Sequence, residues 1–179
     1  MVTQTRMTLE EFLALPGIDE QRLELIDGEV YEKMSPRWGH SRIATRLGNL
    51  LEPFGVAGVE PRAIIPPSGD LGPFAPLPDL AFYVEGDPED DEWITHPPDL
   101  AVELLSIGQS RRDIRAKVDA YIRFGVQCIW VVDLERRTVD IYENGERRTV
   151  SGSELIQATA IPGFAVSVNT LFERRARRS

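Results

Sequence analysis

Asp79, Glu103 and Lys117 are the residues of this chain whose types and spacing suit metal-assisted hydrolysis of a phosphodiester. Lysine is scarce here: of the 20 basic side chains only Lys33 and Lys117 are lysines, and the other 18 are arginines. An ammonium group is a compact point charge with a tunable pKa, whereas a guanidinium stays protonated and presents a planar fork. Alone, Lys117 reads as a remnant on a solvated face. Beside two strand-borne carboxylates it reads as chemistry.

Glu103 interrupts the apolar run Leu100–Leu105, with Leu100, Val102 and Leu104 on one face of a strand and Ala101, Glu103 and Leu105 on the other. A carboxylate buried in such a run needs a partner, because isolated burial is costly or drives it neutral. The partner is either a salt-bridging Arg123 or Arg115, or a bound cation. Asp79 opens the neighbouring strand after Pro78 and is expected beside Glu103 at a sheet edge. Two carboxylates with a backbone carbonyl and waters form a hard oxygen site suited to Mg²⁺ or Mn²⁺. Lys117, on the helix after the Glu103 strand, can orient a water and offset charge building on phosphorus.

Other chemistries lack their signatures. The chain has no His/Cys cluster for zinc, no glycine-rich loop ending in a phosphate-binding lysine, and no nucleophile elbow. Paired carboxylates also serve glycosidases, but no aromatic sugar platform accompanies these. The net charge of −9 argues against a general nucleic-acid coat protein. Without the arginine-rich tail, residues 1–173 carry 16 basic and 29 acidic groups, or −13. An acidic nuclease remains chemically sound, since a bound divalent metal inverts the local field.

Thr8 with Glu11 forms a capping-box pattern for a short helix ending before Pro16. Asp27-Gly28 between Leu23–Ile26 and Glu29–Glu32 predicts a type I′ hairpin. From His40 to about Leu51 the spacing of Ile43, Leu47, Leu50 and Leu51 predicts a helix, with Arg42 and Arg46 on another face. Strands are expected at Gly58–Ile65, Asp79–Val84 and Leu100–Leu105, with a solvated acidic loop over 85–92. A helix starting at Ser110 and stopping at Gly125 should bury Ile114, Val118, Tyr121 and Ile122. Gln127–Asp133 is a strand covered on both faces, and Asn144-Gly145 brackets a second hairpin, Thr138–Tyr142 with Arg147–Val150. The segment from Ile161 should pack back on the core. This order implies an α/β protein with a sheet flanked by helices.

At 179 residues a single domain spanning 1–179 is expected, with its core at about 40–133 and an arginine-rich tail at 174–179. No apolar run approaches the roughly 20 residues of a membrane span, and the first residues lack a signal-peptide core. Cys128 sits in an apolar strand and cannot form an internal disulfide, as expected for a cytoplasmic protein.

Several of these stretches together resemble one bacterial family. They are Arg22–Tyr31 (RLELIDGEVY), Pro78–Phe82 (PDLAF), Asp99–Ser106 (DLAVELLS) with Arg111, Arg112, Asp113 and Lys117, and Tyr121 through Gly125-Val126 to Trp130–Asp133. The family is the Uma-type family of "putative restriction endonucleases", inside the PD-(D/E)xK nuclease superfamily, and the resemblance runs from about Thr8 to Phe172. It implies the restriction-endonuclease-like fold: a central mixed sheet flanked by helices, with β-hairpins added towards both ends. It also implies Asp79 and Glu103 as ligands of Mg²⁺ or Mn²⁺, Lys117 as the catalytic lysine, and DNA as substrate. A homodimer follows by analogy, since two strands of a duplex need two sites. Leu105 stands where the superfamily's short motif has its lysine; the lysine has moved to the following helix, a shift the Uma-type family shares.

Accessory positions lie in or beside these elements. Glu24 is either a further site carboxylate or an exposed strand residue. His40 is either a phosphate contact or a polar helix end. Gln109 lies near the catalytic helix, and Arg111, Arg112 and Arg115 either touch DNA phosphate or form a solvated helix start. The alternative function is a nuclease-fold domain that no longer cuts and binds nucleic acid or a protein partner. A blander one is an oligomerising domain in which arginine neutralises Glu103.

Overall fold

The computed structural model describes residues 6–67, 69–70, 72–89, 92–105 and 111–173. Gln109, Ser110, the arginine-rich tail and the side chains of Arg111 and Arg112 lie outside what is described.

The chain opens with α1 (Leu9–Leu13), whose capping box is formed: Glu11 N–H donates to Thr8 Oγ1 at 3.1 Å and Thr8 N–H to Glu11 Oε2 at 2.8 Å. After a 3₁₀ turn, β1 (Leu23–Ile26) and β2 (Glu29–Glu32) pair antiparallel. Asp27 and Gly28 both take positive φ, 50° and 80°, as a type I′ turn requires. Arg62 ties this hairpin down by donating to the carbonyls of Ile18, Gln21 and Leu23 at 2.8–3.0 Å.

The central sheet has six strands in the order β3-β4-β5-β6-β7-β8: β3 (Val56–Val59), β4 (Leu80–Tyr83), β5 (Leu100–Leu105), β6 (Cys128–Asp133), β7 (Thr138–Glu143) and β8 (Glu146–Ser151). Among the described strands of this sheet only β5 and β6 run parallel, and α3 (Arg111–Phe124) makes the crossover between them. The second hairpin joins the sheet through β6, so it extends the core sheet beyond residue 133.

Side-chain alternation divides the core. On one face, α2 (Trp38–Leu51) packs Ile43, Ala44, Leu47 and Leu51 onto Leu80, Phe82, Leu100, Val102 and Leu104. The C-terminal segment completes that layer: β9 (Leu155–Ile156) pairs with β10 (Val166–Ser167), and α4 (Val168–Phe172) lies against α2. Arg46 donates to the carbonyls of Thr170 and Glu173 at 2.8 and 2.7 Å, which satisfies the end of α4. On the other face, α3 sets Ile114, Val118 and Tyr121 against Ala101, Ile129 and Val131.

Two expectations change. The strand expected over 58–65 is β3 alone, because Glu60 turns with φ +53° ahead of Pro61, leaving Ala63 and Ile65 only isolated bridges to Ile94 and Phe74. Ile122, expected in the core, is 52% exposed, since it flanks an open groove between α3 and the β7–β8 hairpin. Cys128 is buried as expected, and burial pushes its thiol up to about 12. Among the described residues no helix is long and apolar enough to cross a membrane.

Candidate active site

The β4–β5 register pairs Leu80 with Val102, so one step further sets Asp79 opposite Glu103, on the face covered by α3. Asp79 is buried. Its Oδ2 accepts the Leu104 N–H at 2.5 Å, a bond that locks the carboxylate to the neighbouring strand. Its Oδ1 faces the Lys33 ammonium, with Nζ at 2.5 Å, and the His40 imidazole, with Nε2 at 3.3 Å. Neither approach is aligned as a hydrogen bond, so Oδ1 is shielded from solvent without a well-directed donor.

Glu103 is enclosed. Lys117 Nζ lies 2.7 Å from its carboxylate, and Tyr121 Oη donates to Oε1 at 2.7 Å. Lys117 and Tyr121 are one helical turn apart on α3, which presents both to the same strand residue. The Lys117 ammonium also reaches Glu24 Oε1 at 2.8 Å, and the same oxygen accepts the Leu77 N–H at 2.8 Å. Glu24 is therefore a buried residue of the cluster, brought in by β1.

The electrostatics follow from this packing. Burial pushes Asp79 up, but the approach of His40 and the charges of Lys33, His40 and Lys117 outweigh it, holding Asp79 well below the ordinary carboxylate range. Burial and the nearby Asp79 charge raise Glu103 despite Lys117. Burial alone would lower Lys117, yet Glu103, Glu24 and Asp79 overcome it and hold the ammonium charged. Burial and Glu103 keep the Tyr121 phenol protonated.

Asp79, Glu103, Lys117, Glu24 and His40 thus converge. The salt-bridge partners considered for Glu103 do not: Arg123 pairs with Asp70, and Arg115 is exposed on the groove side of α3, two residues and about 200° of helix turn from Lys117. Arg115 accordingly stands apart from the carboxylates. Two cluster members escaped the sequence reading. Tyr121 reads from its spacing as part of the apolar stripe, and its place one turn after Lys117 is the available signal for a site role. Lys33 has no signal beyond being one of only two lysines in the chain.

Among the described residues no three His, Cys, Asp or Glu side chains form a ready-made metal cage, because ammonium groups stand between the carboxylates. The donor chemistry nevertheless fits a hard divalent cation. Asp79, Glu103 and Glu24 offer oxygen only, and Asp79 Oδ1 is a buried anionic oxygen lacking an aligned donor.

A family model described as "Uma2: Putative restriction endonuclease" matches residues 9–169. The chain belongs to this family. The Uma2 match spans every element that carries the cluster, from β1 to α3. The crystal structure of a "putative nuclease belonging to DUF820" from Anabaena variabilis is similar in fold, with a TM-score of 0.77 and 24% identity, over 93% of this chain and 97% of that one. No curated protein matches.

Proposed function

We propose that this Uma2 protein is a metal-dependent nuclease that hydrolyses phosphodiester bonds in DNA. The observation that carries the reading is the convergence of Asp79, Glu103 and Lys117 from two adjacent strands and the following helix. Asp79 and Glu103 would hold Mg²⁺ or Mn²⁺. When bound, such an ion supplies Lewis-acid stabilisation of phosphate oxygens and a more acidic water.

The chain's own groups prepare the site. The Leu104 N–H fixes one oxygen of Asp79, so its other oxygen keeps a set direction. Tyr121 holds the Glu103 carboxylate in one orientation. Lys117, itself positioned by Glu24, offsets the negative charge of the two glutamates and of an incoming phosphate. A homodimer acting on both strands of a duplex is part of the proposal.

The test is cleavage of plasmid and single-stranded DNA with Mg²⁺ or Mn²⁺, comparing the native protein with Asp79→Asn, Glu103→Gln and Lys117→Ala. We expect each variant to lose at least two orders of magnitude in rate, about 3 kcal/mol of barrier. Equal activity in all four preparations would assign the cleavage to a contaminant.

One observation favours a second reading, a nuclease-fold domain that binds without cutting: Lys117 is closed off between Glu24 and Glu103. Mn²⁺ calorimetry separates the two. Binding heat that disappears in Glu103→Gln supports the hydrolytic reading, and its absence in the native protein supports the other.

A further inference from the structure

The two lysines of the chain occupy the site in different ways. Lys117 is 1% exposed and fixed between two glutamates. The Lys33 side chain is 12% exposed and sits just after β2, where the chain enters a connector whose residues 34–37 are all exposed. Its backbone is held, since the Lys33 N–H donates to Arg22 O at 2.7 Å. Its ammonium contacts Asp79 Oδ1 at 2.5 Å without hydrogen-bond alignment, and donates to Leu77 O at 2.6 Å. Glu60 Oε1 stands 3.8 Å away, on a side chain 22% exposed.

We infer that Lys33 is the movable ammonium of this site: it holds Asp79 until a divalent cation takes that carboxylate, and then meets the phosphate of the substrate. The inference rests on the nuclease reading above and adds a residue to it. An ammonium 2.5 Å from Asp79 Oδ1 and a divalent ion on the same oxygen would repel each other, so the two compete for it. Asp79 itself need not move, since Oδ2 stays anchored on the Leu104 N–H. The exchange therefore falls on the flexible four-carbon stem of Lys33. Moving Lys33 would give up its bond to Leu77 O and leave Asp79 to the cation, whereas any movement of Lys117 strands two buried carboxylates. A displaced Lys33 would stay tethered beside Asp79, since its backbone N–H is held by Arg22 O, and its ammonium would be free to pair with a phosphate bound there.

The test measures two ligands, MnCl₂ and inorganic phosphate, by calorimetry on the whole protein without DNA. Lys33→Met should bind Mn²⁺ about tenfold more tightly than the native protein, for loss of the competing charge. With Mn²⁺ saturating, it should bind phosphate several-fold more weakly. Lys33→Gln should repeat both effects, and Lys33→Arg should return Mn²⁺ binding towards native. A lysine with only a structural role would weaken both ligands together, so weaker Mn²⁺ binding in a folded Lys33→Met protein overturns the inference. Equal Mn²⁺ binding in native and variant also overturns it, while leaving the metal-dependent nuclease intact. Tighter Mn²⁺ with unchanged phosphate binding removes the phosphate role. Absence of Mn²⁺ binding in every protein overturns this inference and the metal-dependent reading together.

Discussion

The Lys117 ammonium and the Glu103 carboxylate meet at 2.7 Å with each side chain only 1% exposed, and this buried pair is the centre of the candidate site. Removing one partner of such a pair leaves an uncompensated charge, which costs about 3–5 kcal/mol. Urea denaturation of Lys117→Met and Glu103→Gln should show losses of that order. The double variant should lose less than the sum, with a coupling of about 1–3 kcal/mol. Additive losses would mean the two groups do not act as a pair.

Tyr121 tests the same carboxylate from another side. Tyr121→Phe keeps the ring packed and removes only the donor to Glu103 Oε1. We expect a stability loss of about 1–3 kcal/mol, as for a hydrogen bond to a charged group. Cleavage should fall as well, through looser orientation of Glu103. A variant as stable and as active as the native protein would remove Tyr121 from the site.

The pH dependence of stability should carry two opposite signatures. Folding lowers Asp79, so its contribution is present above the unfolded value of about 3.9 and is lost as pH falls below it. Folding raises Lys117, so its contribution is present below about 10.4 and is lost as pH rises through the higher folded value. Glu103, raised by burial, should take up a proton before Asp79 on acidification. Thermal melts of native and Asp79→Asn proteins should therefore converge in strong acid. A gap that persists there contradicts the assignment.

Arg62 links the N-terminal segment to the site. It donates to three carbonyls, including that of Leu23 next to Glu24, and its guanidinium lies over the Phe12 ring 5.5 Å from the centroid. Arg62→Ala should cost about 2–4 kcal/mol, because hydrogen bonds to a charged group are lost and buried acceptors are left unpaired. It should also weaken Mn²⁺ binding, as β1 loosens its hold on Glu24. Melting unchanged within a degree would show that the hairpin docks without Arg62.

Much of this architecture was legible in the chain because its determinants are local. The alternation around Glu103 defined β5 and its two faces, and Asp27-Gly28 and Asn144-Gly145 defined their turns through positive φ. The family pattern singled out Asp79, Glu103 and Lys117 without distances. Tertiary structure alone decided which charges meet: Lys33 reaches Asp79 across 46 residues and Glu24 reaches Lys117 across 93. It also decided that Arg115 and Arg123 do not reach Glu103, and that β7 joins β6. Backbone torsion and side-chain periodicity are written residue by residue, whereas a buried ion pair depends on how distant elements pack. No local pattern encodes that distance.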